Sequence, residues 1–302
     1  MLFGTQKTDL DVLLNRPRPT KWQEFWSNPC IFLAHFLYTR RRIIHEPPAN
    51  PISIVCISDT HNSQPHLPFG DILIHAGDLT QSGSLGELKA TIAWLNSQPH
   101  THKVVVAGNH DLLLDQGCDR RGQAAAEREC LDWGDCVYLE NETTTVTCDS
   151  GRSLKIYGCP LSPRHGNWSF QYPRSKDVWS GTVPNGIDVL VTHGPPFAHL
   201  DLNLGCYYLL QALWRTRPLL HVFGHIHEGY GQESVVFDRL QKTYEKALCD
   251  GNLWSLMKLF KEFLRSLPMR KKQVTTTCQL VNPAMVGGLR DNEKRQPIKV
   301  II

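Results

Sequence analysis

The chain has 302 residues, 41% of them hydrophobic, which is enough to bury a core and excludes a disordered chain. Its 32 basic and 29 acidic side chains leave a net charge of +3, so bulk charge gives no support to binding of a nucleic-acid polymer. The ten cysteines form no CxxC pairs and no secretory signal opens the sequence. These features predict reduced thiols in an intracellular, cytoplasmic protein, with a disulfide framework between Cys118 and Cys148 as the alternative.

The first 50 residues form an N-terminal arm whose composition differs from that of the rest. An apolar run at residues 29–38 precedes three arginines at 40–42. The run is too short to span a bilayer, which needs about 20 residues. We interpret it as a peripheral helix on the flank of the main domain. The alternative is a helix on a membrane surface, with the arginines near the lipid headgroups.

The main domain, residues 51–302, begins with a buried strand at residues 52–57, which are apolar and β-branched. Similar runs predict strands at residues 71–75, 103–107, 154–157, 188–192, 219–223, 279–281 and 298–302. Helices are predicted at residues 84–97, 123–132 and 206–216. The helix at 84–97 begins with a capping box formed by Ser84 and Glu87. Residues 238–273 read as a helical insertion rich in lysine and leucine, with a lid, a partner surface or a solvated elaboration as its alternative roles.

Polar residues able to bind metal follow five of these strands. They are Asp59-Thr60-His61, Gly77-Asp78, Gly108-Asn109-His110-Asp111, Thr192-His193-Gly194 and Gly224-His225-Ile226-His227. In layered α/β proteins, sites gather at the carboxyl ends of strands, so these segments are expected to converge. A single catalytic zinc ion needs about three protein ligands, and this inventory is larger. It therefore predicts two ions that share a carboxylate.

The spacing within the segments supports the same interpretation. Asp59 and His61 occupy alternate positions, as do His225 and His227, so each pair faces one side of an extended chain. Mixed imidazole and carboxylate ligands suit manganese, iron or zinc better than calcium or magnesium. The glycines before Asp78, Asn109 and His225 permit tight turns and unusual backbone angles where the strands meet the site.

These ordered blocks resemble the calcineurin-like metallophosphoesterase superfamily, whose pattern is D-x-H, GD, GNH[ED], H and GHxH. The stretches CISDTH, ILIHAGDLT, VAGNHD, VTHGPP and HVFGHIHEGYG are similar to the small metallophosphoesterase-domain-containing phosphodiesterases. The resemblance covers residues 52–232. It implies an α/β fold, a four-layer α/β/β/α sandwich with two central mixed β-sheets. It also implies a small phosphate ester as substrate, with cyclic nucleotides and simple diesters as candidates.

The family's site residues transfer to matching positions in this sequence. The resemblance implies a first metal held by Asp59, His61 and His227, a bridging Asp78, and a second metal held by Asn109, His193 and His225. The ions would be divalent manganese, iron (Fe²⁺/Fe³⁺) or zinc, with Mn²⁺ favoured in vitro. A metal-bridging hydroxide would attack phosphorus in line with the leaving alkoxide. His110 would act as general acid or electrostatic stabiliser, and Asp111 would orient it.

A glycine-containing loop, RHGNWSF, begins at Arg164. Trp168 could stack on a base there, while Arg164 and Asn167 hold the phosphate. The alternative is an ordinary aromatic anchor for a loop. Residues beside the metal motifs could surround the ligands; these are His199, Glu228 and Tyr230.

Two other functions stay open on the sequence alone. The first is a phosphomonoesterase, including a protein phosphatase, although the GDLTQSG segment lacks the arginine that protein phosphatases carry after this block. The second is a low-activity regulatory scaffold that keeps the fold. The complete set of predicted ligands argues against the scaffold.

Overall fold

The structure, a computed structural model, describes residues 20–41, 43, 48, 50–118, 124–267, 277–288 and 291–302. The chain divides into two compact units, here called the helical unit and the sheet unit. The helical unit comprises Met1–Arg42, Asp238–Lys272 and Gly287–Glu293, and the sheet unit comprises Ile43–Phe237, Gln273–Val286 and Lys294–Ile302. The interpretations of residues 1–19, of residues 42 and 123 and of residues 268–273 lie outside the described part.

The described strands, in chain order, are β1 (Ser53–Ile57), β2 (Ile72–Ala76), β3 (His102–Val106), β4 (Cys136–Tyr138), β5 (Glu142–Thr147), β6 (Ser153–Cys159), β7 (Ser162–Pro163), β8 (Gln171–Tyr172), β9 (Val189–Thr192), β10 (Leu220–Val222), β11 (Gly231–Val236), β12 (Thr277–Asn282), β13 (Val286–Gly287), β14 (Glu293–Lys294) and β15 (Ile298–Ile301). The α-helices are α1 (Lys21–Ser27), α2 (Pro29–Tyr38), α3 (Leu85–Asn96), α4 (Ala124–Glu129), α5 (Tyr207–Thr216), α6 (Arg239–Asp250) and α7 (Leu253–Ser266). Short 3₁₀ turns occur at Leu112–Leu114, Gln116–Cys118 and His227–Gly229.

Two mixed sheets form the centre of the sheet unit. Within the described residues, the first has the strand order β15-β1-β2-β3-β4 and the second β11-β12-β10-β9-β6-β5. In the first sheet, β1 to β4 run parallel and β15 pairs antiparallel with β1. In the second, β12, β10, β9 and β6 run parallel, and β11 and β5 pair antiparallel. The parallel strands of each sheet therefore end at one edge, where the predicted ligands follow.

The core lies in layers between and outside the two sheets. Side chains on the inner faces meet in one cluster, which includes Ile54, Ile74, Val104, Ile156, Val189 and Val222. On the outer face of the first sheet, Leu95 of α3 joins Val55 of β1. On the outer face of the second, Leu209 of α5 joins Leu190 of β9. This helix–sheet–sheet–helix order confirms the predicted four-layer α/β/β/α sandwich with two mixed sheets.

Local sequence signals account for several of these elements. In β1 both alternating faces are buried, which explains its continuous apolar run. Helix α3 begins with the predicted capping box, since Ser84 accepts a hydrogen bond from the Glu87 amide and Glu87 accepts one from the Ser84 amide. Of the strands in the two main sheets, β4, β5 and β11 are not predicted from the sequence. All three lie at an edge of a sheet, and β5 has a threonine-rich, largely exposed sequence without apolar alternation.

In the helical unit, the N-terminal arm and the insertion pack together. The apolar run 29–38 forms α2, which contacts α6 and α7. Tyr38 stacks on Tyr244 with ring centroids 3.8 Å apart, and its hydroxyl donates to Gln241 at 2.6 Å. Arg41 pairs with Asp238 at 2.5 Å. No helix among the described residues is long and apolar enough to cross a membrane.

The cysteines of the alternative disulfide framework that the structure describes are Cys130, Cys136 and Cys148. Each of the three is a free thiol. The expectation of reduced cysteines therefore holds for them.

Candidate metal centre

The turns after β1, β2 and β10 hold four of the predicted ligands in an unusual backbone conformation. Asp59, His61, Asp78 and His225 have φ values of 51°, 43°, 53° and 68°. Residues other than glycine rarely adopt this left-handed region, and each such residue costs about 1–3 kcal/mol. Backbone hydrogen bonds between neighbouring turns maintain it, for example from the Asp59 amide to the Gly77 carbonyl at 2.9 Å. Such strain is typical of a functional site.

One group of donors contains Asp59, His61, Asp78 and His227. One donor atom from each lies within 4.8 Å of the others. The Nε2 atom of His227 lies 3.3 Å from Asp59 Oδ1 and 3.4 Å from His61 Nε2. His61 Nε2 lies 3.8 Å from Asp78 Oδ2. Two imidazoles and two carboxylates therefore face one another at the ends of three strands.

A second group surrounds His193, which follows β9. Its Nε2 atom lies 3.0 Å from Asn109 Oδ1 and 3.4 Å from Asp78 Oδ2. Its Nδ1 atom donates to the Ala76 carbonyl at 3.0 Å, so Nδ1 carries hydrogen and Nε2 faces the two oxygens. The ring of His225 lies 5.1 Å from the ring of His193. The same Oδ2 atom of Asp78 therefore faces both groups of donors.

The protonation states of these side chains suit cation binding. Burial opposes ionisation of Asp59, but hydrogen bonding and the charge of His227 lower its pKa to about 2. Burial also opposes ionisation of Asp78, yet the charge of His193 holds its pKa below the usual range. Burial lowers the pKa of His225 to about 3. Carboxylates and neutral imidazoles are the forms that bind metals, and Asp59, Asp78 and His225 have these forms at neutral pH.

The arrangement around His193 shows that these residues fit a metal ion. Its Nε2 atom and the oxygens of Asn109 and Asp78 each carry lone pairs, so their close approach requires a cation or a proton between them. In the metal-free chain a proton meets this need: burial opposes it, but Asp78 raises the pKa of His193 to about 9. Imidazole and oxygen donors suit manganese, iron or zinc.

Three glycines leave room for these ligands. A Cβ atom at Gly108 would overlap the backbone nitrogen and Oδ1 of Asp78, and one at Gly224 would overlap Ser58 and Asp59 Oδ2. Gly77 has φ of +99°, and a Cβ there would overlap the ring of His193. The predicted need for unusual backbone angles thus applies to Gly77. At the other two positions, close approach to a carboxylate is the reason for glycine.

His110 and Asp111 have different surroundings from those expected. The Nδ1 atom of His110 bonds to the Gln81 carbonyl at 2.8 Å, and the His110 amide donates to Asp78 Oδ1 at 2.7 Å. Asp111 is fully buried and accepts hydrogen bonds from the amides of Leu79, Thr80 and Gly108. In this structure the Gln81 carbonyl, rather than Asp111, orients the ring of His110, and Asp111 joins the turns after β2 and β3.

The loop that begins at Arg164 lies beside His110. Trp168 stacks on the His110 ring with centroids 4.2 Å apart, and it is 38% exposed. Arg164 donates to Asn167 Oδ1 at 3.3 Å. A cavity of about 280 Å³ is lined by Arg164, Gly166, Asn167, Trp168, Gln171 and Pro173. The three predicted substrate contacts therefore share one cavity, which Trp168 joins to the metal-binding turns.

The three residues expected near the metal ligands are His199, Glu228 and Tyr230, and each has a partner within the protein. His199 is buried and pairs with Glu233 at 2.5 Å. Glu228 lies 3.4 Å from Arg295, whose guanidinium sits 5.4 Å from the Tyr230 ring. Arg295 also donates to the His227 carbonyl.

Sequence reasoning missed two buried histidines that support the ligand turns. His75 Nε2 lies 2.9 Å from Thr60 Oγ1, and His221 Nε2 lies 2.9 Å from Thr192 Oγ1. Each threonine is next to a predicted ligand. The available signal was a histidine inside an otherwise apolar strand in both DILIH and LLHVF, since burial of an imidazole requires a hydrogen-bonding partner.

Comparison with known proteins places this geometry in a family. A family model described as calcineurin-like phosphoesterase matches residues 52–229. The chain is 45% identical over 304 residues to the "Probable rhamnogalacturonate lyase C" of Emericella nidulans, a match that covers 98% of this chain but 29% of that protein. The chain thus spans less than a third of this relative, whose name describes a much longer protein.

A second relative is matched over a larger share of its own length. The human "Metallophosphoesterase domain-containing protein 1" is 38% identical over 237 residues, covering 69% of this chain and 70% of that protein. Among solved structures, TT1561 of Thermus thermophilus covers 61% of this chain and 84% of its own, with 15% identity and a TM-score of 0.40. The family match and the relatives, together with the Asp/His cluster as a candidate metal site, show that the chain belongs to the calcineurin-like metallophosphoesterase family.

Proposed function

We propose that the chain hydrolyses phosphodiester bonds with the help of two divalent metal ions. One observation carries this proposal: Asp78 Oδ2 faces His61 Nε2 at 3.8 Å on one side and His193 Nε2 at 3.4 Å on the other. A single carboxylate oxygen between two groups of donors is what a shared bridging ligand requires.

Each group would hold one ion. The first comprises Asp59, His61 and His227, the second comprises Asn109, His193 and His225, and Asp78 belongs to both. When bound, the ions supply Lewis acidity that lowers the pKa of water and neutralises phosphate charge. The mixed nitrogen and oxygen donors favour Mn²⁺, iron or Zn²⁺.

His110 is the proposed proton donor to the leaving oxygen. Because its Nδ1 hydrogen bonds to the Gln81 carbonyl, Nε2 is the atom that can exchange a proton with a substrate. The His110 ring lies 4.7 Å from that of His61, a proposed ligand. Asp111 acts indirectly, since its carboxylate holds the amides on both sides of Asp78 and His110.

The cavity beside His110 supports small diesters with an aromatic group, such as cyclic nucleotides, as substrates. Trp168 presents an exposed indole on which a base can stack, and Arg164 and Asn167 offer donors for phosphate or sugar oxygens. Stacking of a base on an aromatic side chain contributes about 1–3 kcal/mol per base.

The test compares turnover of bis-p-nitrophenyl phosphate with that of p-nitrophenyl phosphate in the presence of Mn²⁺, followed by a panel of 2′,3′- and 3′,5′-cyclic nucleotides. We expect faster turnover of the diester. We also expect Trp168→Ala to raise KM for a cyclic nucleotide about tenfold with a smaller change in kcat, and Trp168→Phe to restore KM. Faster turnover of the monoester would make the chain a phosphomonoesterase, and no turnover of either would favour a regulatory scaffold.

A further inference from the structure

Helix α7 of the helical unit exposes a continuous apolar stripe. Leu253, Met257, Phe260 and Leu264 are 63%, 56%, 49% and 47% exposed. Their spacing of three and four residues places them on one face of the helix. We call these four residues the α7 stripe. A row of large exposed apolar side chains of this kind marks an interaction surface.

A different face of α7 already packs within the helical unit. Ser255, Leu256 and Leu259 are buried, and the helix packs against α2 and α6. The stripe is therefore not the face that holds the helical unit together. Packing within the helical unit therefore does not explain why the α7 stripe is apolar.

Cations lie along one edge of the stripe. Lys258 and Lys261 project from that edge, about 100° around the helix from the stripe. Trp254, 65% exposed, lies on the same edge, and the Lys258 ammonium sits 5.1 Å from its ring. The acidic residue of α7, Glu262, is neutralised by Arg265 at 2.6 Å.

An apolar stripe with lysines beside it fits a binding surface that offers both hydrocarbon and negative charge. An amphipathic helix with a wide apolar face, a tryptophan at its edge and basic residues beside it lies in the plane of an anionic bilayer. Protein interfaces are depleted in lysine relative to the rest of the surface, whereas Lys258 and Lys261 lie beside this stripe. We propose that α7 binds the chain to an anionic lipid surface, with the α7 stripe inserted among the acyl chains.

Among the described residues of the N-terminal arm, the two arginines that follow α2 are less suited to this role. Arg41 is paired with Asp238, and the Arg40 guanidinium lies 3.5 Å from the Phe36 ring. These two arginines thus have partners within the protein. The arm's exposed aromatic residues, Trp22 and Trp26, are four residues apart on α1 and could add apolar contact.

The test is flotation of the full chain with vesicles of phosphatidylcholine alone and of phosphatidylcholine mixed with phosphatidylserine. We expect at least about tenfold more protein on the mixed vesicles. Phe260→Glu should abolish binding, and Lys258→Glu with Lys261→Glu should remove the preference for phosphatidylserine. Phe69→Glu is the matched control, because Phe69 is 79% exposed outside α7. Thermal unfolding should be unchanged in all variants, since each substituted side chain is exposed.

Several results would overturn the proposal. These are no flotation of the wild-type chain, equal flotation with both vesicles, or unchanged flotation of the folded Phe260→Glu variant. A concentration-dependent dimer that Phe260→Glu dissociates, without vesicle binding, would assign the α7 stripe to a second copy of the chain. Flotation needs no substrate or metal, so its outcome is independent of the proposed phosphodiesterase activity. Turnover of a soluble diester should be the same in all these variants.

Discussion

The Nε2 atoms of His61 and His227 lie 3.4 Å apart although 166 residues separate them in the sequence. One follows β1 in the first sheet, and the other follows β10 in the second. At this distance a hydrogen on one nitrogen forms a hydrogen bond to the other nitrogen, and a metal ion in place of that hydrogen can bind both. The proposed metal ligands thus lie at the edge where the parallel strands of both sheets end.

Replacement of His110 tests its role as proton donor. We expect His110→Ala to lower kcat about 10²-fold or more for a diester with an alkoxide leaving group, and less for one that releases p-nitrophenolate, which needs no proton. Bound metal, measured by elemental analysis, should not change. His66→Ala, at an exposed histidine, should have wild-type activity. Loss of one metal equivalent in His110→Ala would instead make His110 a ligand.

Replacement of Gly224 tests the close approach around Asp59. In Gly224→Ala the added methyl group would overlap Asp59 Oδ2 and the Ser58 side chain, so we expect loss of bound metal and destabilisation by about 1–3 kcal/mol. Metal content and thermal unfolding provide the measurements.

The matched control for this substitution is Gly86→Ala in α3, where a Cβ atom meets no other atom within 4 Å. That change should stabilise the chain by about 0.5–1 kcal/mol, because alanine favours a helix over glycine. Full metal content in Gly224→Ala would show that the turn can adjust, and would refute the spatial argument.

The hydrogen bond between Thr60 and His75 is expected to position the turn that carries Asp59 and His61. Thr60→Val keeps the shape of the side chain but removes its bonds to His75 and to the Leu79 carbonyl. Loss of such supporting bonds typically lowers metal affinity about 10- to 100-fold. Chelator competition measures this, with Thr145→Val on the exposed strand β5 as control. Equal affinity in both variants would mean that the backbone alone holds the turn.

Glu87 should contribute to stability in a pH-dependent way. Partial burial opposes its ionisation, but hydrogen bonds from Ser82, Ser84 and Asn62 lower its pKa from 4.5 to about 2. Because the folded-state pKa is the lower one, this stabilisation is present above pH 4.5 and is lost as the pH falls towards 2. Glu87→Gln should therefore cost about 1 kcal/mol at pH 7 and progressively less below pH 4.5. Urea unfolding at several pH values tests this, with the exposed Glu142→Gln as control; a pH-independent difference would contradict it.

The predicted parts of the fold are those with strong local signals. The apolar runs that became β1, β2, β3, β9 and β10 end in glycine and polar residues, so both the strands and the positions of Asp59, Asp78 and His193 could be predicted. The edge strand Glu142–Thr147 could not, because its exposed polar side chains carry no apolar periodicity.

The finer geometry of the site was less accessible from sequence. The partner of the His110 ring is the Gln81 carbonyl, a backbone atom that leaves no trace in residue identity. Position 108 requires glycine because a Cβ atom there would overlap Asp78, and only the tertiary structure shows this proximity. Likewise, the packing of the run 29–38 on α6 and α7 joins segments about 200 residues apart in sequence, as the Tyr38–Gln241 bond shows.

The most direct test of the central claim is the metal content of the full chain after loading with Mn²⁺ and removal of excess ion. The shared position of Asp78 predicts about two equivalents in the wild-type chain, and at most one, without phosphodiesterase turnover, in Asp78→Asn. Asp149→Asn, at an exposed carboxylate, should retain both ions and full activity. A wild-type chain with no more than one equivalent, or a fully loaded and active Asp78→Asn variant, would contradict a centre bridged by Asp78.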